Sequence, residues 1–235
     1  MYKFFRSLNI LYIIHINLTK NFRKKRGLLK IISTILELII ILIKEAFFEI
    51  ITKFKYSNTR EIQLNINDYK ANRRPTLFVQ ISDTNKYLKN RFKNLNDYSA
   101  LDIGCGNGKI LFMLTKLNFK KIYGVELNKF YFNECQENLK NYNTVDISNE
   151  DFFNYKINNN VKFFFIFAPF ANEEQYKTFV KIIENLPYEV VLISYGGGFL
   201  NSHLIDNKKS FELIFKKTYI DNFYTTHIFK KLKKK

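Results

Sequence analysis

The sequence predicts an α/β fold: a doubly wound, mostly parallel seven-stranded sheet that ends in an antiparallel hairpin and follows a helical N-terminal extension. Three observations carry that expectation. From residue 77 onward, short β-branched and aromatic runs alternate with helical patterns, as parallel strands joined by crossover helices require. The first strand-like run opens into Asp102-Ile-Gly104-Cys-Gly106-Asn-Gly108, a glycine-rich turn where backbone can approach a ligand closely. The last two runs, 211–219 and 224–232, are joined by Ile220-Asp-Asn-Phe223 and read as a hairpin.

After Pro75, the apolar residues Leu77, Phe78, Ile81, Tyr87, Leu88 and Phe92 predict a helix leading to the first strand, Leu101–Ile103. Ile110–Leu117 predicts a helix, Lys121–Val125 the second strand, Lys129–Leu139 a helix and Asn143–Ile147 the third strand. Phe163–Phe167 is the fourth strand, Glu173–Asn185 a helix and Glu189–Ser194 the fifth strand. The run Gly196-Gly197-Gly198 then reads as a flexible substrate-side loop or as a plain turn.

A chain of 235 residues can bury one good core and an accessory segment. With 46% apolar residues, 25 Phe and 15 Tyr, wholesale disorder is excluded. The formal charge of +17 is unevenly placed: residues 1–60 hold 12 basic and 3 acidic side chains, residues 61–207 hold 17 and 16, and residues 208–235 hold 9 and 2. An enzyme threading nucleic acid past its cleft would ordinarily put cations around that cleft, so charge at the two ends disfavours this partner. An anionic membrane surface fits terminal charge, as does simple compositional drift toward Lys, Asn and Ile. Cys105 and Cys135 are too few for a disulfide framework and no Cys/His cluster has zinc spacing, so a reducing, cytoplasmic setting without metal is expected.

Three regions follow: residues 1–55 as a basic, amphipathic helical segment, 56–75 as a polar linker and 76–235 as the α/β domain. Behind the basic run Arg23-Lys24-Lys25-Arg26, a long helix is expected whose Lys30, Ser33, Thr34, Glu37, Lys44 and Glu45 share one narrow sector. Its charges interrupt any membrane span, and no cleavable signal peptide is recognisable. Two placements stay open: the helix lies in a membrane interface on the inner face, or it buries its broad apolar face against the domain or a second copy.

The glycine spacing is G-x-G-x-G, with Lys109 where a dinucleotide-binding turn would carry its last glycine, and Glu126 ends the second strand. Together with the hairpin-ended sheet, these residues resemble the class I S-adenosylmethionine-dependent methyltransferases, Rossmann-like enzymes, over about residues 75–232. The resemblance implies adenosylmethionine as cofactor. It implies Asp102, Gly104, Cys105, Gly106 and Gly108 around the methionine part, with the acid on the ammonium. Glu126 would accept from both ribose hydroxyls, Leu127 would pack on adenine, Asp151 would read the adenine amino group, and Phe152 and Phe167 would complete the site. Each has a bland alternative, since the turn could be a tight connection, Glu126 a surface acid and Asp151 a helix cap. Cys105 reads as a small packed residue rather than a nucleophile.

Strand four ends Phe167-Ala168-Pro169-Phe170, the expected acceptor-pocket wall. Family members that methylate exocyclic amines carry Asn or Asp where Ala168 stands, because an oxygen must accept from the target NH2. That departure argues against amine methylation by this route. Tyr195 and His203 are the catalytic candidates near the ends of strands four and five. The expected function is methyl transfer to a small-molecule, lipid-linked or glycan acceptor. The alternatives are a nucleic-acid methyltransferase and a cofactor-binding module without turnover.

Overall fold

A computed structural model describes residues 28–52, 76–196, 198–220 and 224–232. The basic run at 23–26 and the linker at 56–75 lie outside them. The elements are α1 (Leu28–Thr52), α2 (Phe78–Arg91), β1 (Ser99–Ile103), α3 (Lys109–Leu114), β2 (Lys121–Val125), α4 (Lys129–Leu139), β3 (Val145–Ser148), β4 (Val161–Ile166), α5 (Glu173–Asn185), β5 (Val191–Tyr195), α6 (Phe199–Asp206), β6 (Phe211–Tyr219) and β7 (Tyr224–Lys231).

The seven strands lie in the order β3-β2-β1-β4-β5-β7-β6. β1 pairs in parallel with β2 and with β4, whereas β7 runs antiparallel to β5, with Tyr195 opposite Thr226. β4 is Val-Lys-Phe-Phe-Phe-Ile and almost wholly buried, because a central parallel strand is covered on both faces. Phe163, Phe165, Ile193 and Ile228 pack toward Ile81 and Leu88 of α2, Leu111 and Leu114 of α3 and Leu139 of α4. On the other face, Phe164, Ile166, Leu192 and Phe229 meet Phe179 and Ile183 of α5 and Leu200 and Leu204 of α6.

Local chemistry starts the helices that position the site. The Asn128 side chain accepts from Phe130 N and Tyr131 N to cap α4. Asn172 accepts from Gln175 N to cap α5, whose first turn also carries Glu173 and Glu174 against the positive helix end. α6 is the element that sequence patterning misses. A helix follows the glycine run because Gly196 and Gly198 take φ of +106° and +99°, turning the chain, while Asn201 donates back to the Gly196 carbonyl at 2.6 Å.

α1 packs on the domain through Ile31, Thr34, Leu38, Ile41 and Phe48, with Glu37 and Glu45 of the polar stripe half-buried beside them and Lys30, Ser33 and Lys44 exposed, so that most of the broad apolar face is turned away from the domain. Glu37 accepts from Ile220 N at 3.0 Å, Glu45 accepts from Phe78 N, and Glu45 also pairs with Lys109 at 2.6 Å. Leu38 and Ile41 pack beside Leu77, Tyr219, Ile220 and Tyr224, and Phe48 joins the main core. The side on which the two carboxylates lie has a physical reason: the N–H groups of Phe78 and Ile220 and the buried ammonium of Lys109 need acceptors, which carboxylates supply and isoleucines cannot. No described helix is long and apolar enough to cross a membrane.

Candidate cofactor site

The chain leaves β1 for β2 on one side and β4 for β5 on the other, so the sheet reverses direction between β1 and β4. A crevice at the carboxyl ends of such a pair is where α/β sheets bind ligands. The glycine-rich turn stands there. Gly104 N and Cys105 N both donate to the Val125 carbonyl, at 2.8 and 3.1 Å, which ties the turn to the end of β2.

The three glycines of the turn have positive φ, 70°, 56° and 87°, but distinct surroundings. A Cβ on Gly104 would stand 2.7 Å from Pro169 Cβ, and one on Gly108 would stand 2.6 Å from Cys135 Sγ. One on Gly106 would meet no described heavy atom within 4 Å. Gly104 and Gly108 are thus needed for packing within the protein, and Gly106 borders open space.

Glu126 faces that turn. Its Oε2 accepts from Gly106 N at 2.8 Å and its Oε1 from Asn128 N at 2.9 Å, leaving further lone pairs on each oxygen. Asn149 donates to the carbonyls of Glu126 and Leu127, at 2.8 and 3.1 Å, and so braces the end of β2. Leu127 itself is exposed.

Asp102 is fully buried, and neither carboxylate oxygen has a partner among the described residues. Burial, and secondarily the Glu126 charge, push its carboxyl well above the usual range. A buried carboxyl without a donor is costly unless something cationic or hydrogen-bonding completes it. Cys105 Sγ lies 3.9 Å from Cys135 Sγ, and that contact together with burial raises the thiol, the opposite of an activated nucleophile.

The remaining residues named from sequence divide by position. Asp151 Oδ1 accepts from Phe153 N at 3.0 Å, as a turn-forming aspartate does. Phe152 is built into the core, edge-on to Phe179 at 5.6 Å, rather than lining a cleft. Ala168 takes φ of +45°, which swings Pro169 onto Gly104 and sends Phe170 to stack on Phe153 at 5.1 Å. Phe167 lies over Gly196, where an added Cβ would be 3.1 Å from its ring.

Neither catalytic candidate is presented as a base. Tyr195 is buried under α2, and burial holds its phenol proton well above the usual tyrosine value. His203 Nε2 sits 3.3 Å from Glu173 on the α5 side. Lys109, Asn128, Asn149 and Asn201 are the supporting residues that sequence reasoning missed. Asn128 carried a signal, an Asn immediately before a helical run, whereas Lys109 depends on a partner 64 positions away.

An adenosylmethionine presents an ammonium, a ribose diol and an adenine face. The crevice presents a buried carboxyl without a partner, a carboxylate with free lone pairs and an exposed leucine, and its residues fit the cofactor.

Residues 100–186 match the family described as "Methyltransferase domain". No curated protein matches the chain. Among solved structures, an RNA methyltransferase from Salinibacter ruber in complex with S-adenosyl-L-homocysteine is 12% identical, with a TM-score of 0.53, covering 69% of this chain and 95% of that one. A Streptococcus mutans protein, also solved with S-adenosylhomocysteine, is 16% identical with a TM-score of 0.51, covering 65% and 98%. The methyltransferase domain of the bacterial protein CtHen1 is 14% identical with a TM-score of 0.51, covering 66% and 97%. Residues 100–186 thus carry the match to a methyltransferase domain, and the order of the strands around this crevice is that of the class I fold.

Proposed function

We propose that the crevice at β1 and β4 holds adenosylmethionine with Asp102 toward its ammonium, Glu126 toward the ribose diol, Leu127 against adenine and Asp151 toward the adenine amino group. The acceptor is a small-molecule, lipid-linked or glycan compound that enters past Phe167, Ala168, Pro169 and Phe170. The observation that supports this reading best is the pairing of Gly106 and Glu126: open space where a side chain would stand, beside a carboxylate held in place by that glycine's own N–H.

Bound cofactor supplies a methyl group on a sulfonium, ready for in-line displacement. The protein's part is alignment: the glycine turn fixes one end of the crevice, Pro169 closes against it, and the ring of Phe167 excludes water. Tyr195 keeps its proton and so does not draw one from the acceptor. Ala168 offers no side-chain oxygen to an amine, which favours acceptors other than exocyclic amines.

A nucleic-acid acceptor is the second reading, favoured by the RNA methyltransferase named above. Against it, residues 61–207 are nearly neutral, with 17 basic and 16 acidic side chains, so the domain carries no basic surplus around the crevice to hold a phosphate backbone.

The test is a melting experiment with S-adenosylhomocysteine and with NAD. Adenosylhomocysteine at a hundred times its Kd should add about 2.7 kcal/mol of stability, and NAD nothing. Glu126→Ala should weaken adenosylhomocysteine by about 1.5–3 kcal/mol, through the loss of charge-assisted bonds and of the turn's anchor. An unchanged Kd places the ribose elsewhere.

A further inference from the structure

We infer that the outward face of α1 docks on an anionic membrane surface and turns the cofactor edge of the sheet toward the bilayer. Leu36, Ile40, Ile43, Phe47 and Ile50 are all exposed, Ile43 and Phe47 at 63% and 64%. With Ile32, Ile35, Ile39 and Ile51, exposed as well, they cover an arc of about 160° at 3.6 residues per turn. Such a contiguous apolar face on a surface helix is an interaction site rather than ordinary surface.

The charges identify the occupant. The acids of α1 lie outside this arc: Glu37 and Glu45 are engaged by the domain, and Glu49 is half-buried. The exposed charges of the helix are Lys30 and Lys44, and the sequence places Arg23-Lys24-Lys25-Arg26 directly before it. Lys44 flanks one margin of the arc and half-buried Glu49 the other, and with the basic run the segment 23–52 holds six cations against three acids, a surplus that complements anionic lipid headgroups over acyl chains. A second copy would set like charges against like, and the arc is broader than the seam of a helix pair.

The attachment of α1 gives the docking a direction. Its three anchors are Ile220 at the end of β6, Phe78 at the start of α2 and Lys109 at the start of α3. All three lie at the carboxyl edge of the parallel strands. Leu127 after β2, Phe130 in the first turn of α4 and Phe199 in the first turn of α6 are exposed at the same edge. A membrane meeting α1 therefore meets the crevice mouth, which deepens the proposed lipid-linked acceptor and for that point rests on it. The docking itself does not.

The full chain, without cofactor or acceptor, should sediment with vesicles containing phosphatidylglycerol, bind pure phosphatidylcholine vesicles at least tenfold less, and release as salt rises. Ile43→Asp and Phe47→Asp should each cut partitioning more than tenfold while leaving the adenosylhomocysteine melting shift in place. Lys24→Glu with Lys25→Glu leaves the apolar arc intact and should cut partitioning about fivefold for each cation lost. Absence of binding to anionic vesicles overturns the inference. Equal binding to both vesicles overturns it too, and so does a dimer that Ile43→Asp makes monomeric while vesicle binding persists. Failure of the melting shift alone instead counts against the cofactor assignment.

Discussion

Lys109, the first residue of α3, holds Glu45 of α1 at 2.6 Å and also donates to the Thr76 carbonyl at 3.0 Å, with the ring of Phe48 5.3 Å from its ammonium. Both side chains are largely buried, at 8% and 13% exposure. The helix that leaves the cofactor turn is therefore fastened to the N-terminal helix by an ion pair outside bulk water. This pair couples the extension to the turn.

Glu45→Ala should cost about 3–5 kcal/mol, because it strands a buried ammonium, and urea unfolding should show a lower midpoint at unchanged slope. Glu45→Leu combined with Lys109→Met should recover most of that loss, since well-packed apolar groups replace a buried pair at little cost. A single variant with an unchanged midpoint would mean that α1 is held by Glu37 and its apolar contacts without this pair.

The three glycines of the turn should fail differently. Gly104→Ala and Gly108→Ala each drive a Cβ into Pro169 or Cys135 and should destabilise the fold by about 1–3 kcal/mol, beyond the cost of positive φ. Gly106→Ala carries only the left-handed backbone cost of about 1–2 kcal/mol in stability, yet it should lose adenosylhomocysteine more severely than the others. Thermal melts with and without ligand separate the two effects.

Asp102 makes stability and binding depend on pH in opposite directions. Below the ordinary aspartate value of about 3.9 both folded and unfolded states are protonated, and nothing is lost. As pH rises past that value the unfolded chain ionises while the buried Asp102 keeps its proton, so stability falls until pH reaches the raised folded value. Asp102→Asn should remove this loss, and its stability relative to the native chain should improve upward from about pH 4. A cofactor ammonium beside Asp102 favours the ionised form, so binding should release protons from the native chain but not from Asp102→Asn. Calorimetry in buffers of different ionisation enthalpy reads that release; equal proton release in both would remove Asp102 from the ammonium site.

The strands and helices from residue 77 onward were legible because parallel sheets impose local patterns: Lys121–Val125, Lys129–Leu139 and Glu173–Asn185 occur where periodicity places them. The glycine turn and the acid ending β2 were legible for the same reason, since a tight turn and a strand-end carboxylate are short-range features. α6 was not, as its start depends on Asn201 reaching back to a carbonyl at a turn of positive φ. Phe152 was assigned to the cofactor on motif position, but its ring is taken up by Phe179, which comes from a helix far along the chain.

The sequence by itself determined the sheet, its hairpin and the turn that marks a nucleoside cofactor, because each is written in contacts between neighbours along the chain. It also determined that the N-terminal helix is amphipathic. Which face that helix turns to the domain was decided only by tertiary structure, where the N–H groups of Phe78 and Ile220 and the ammonium of Lys109 wait at one edge for acceptors. Buried donors cost more to leave unpaired than an isoleucine costs to leave in water, so the carboxylates went inward and the apolar arc was left outside.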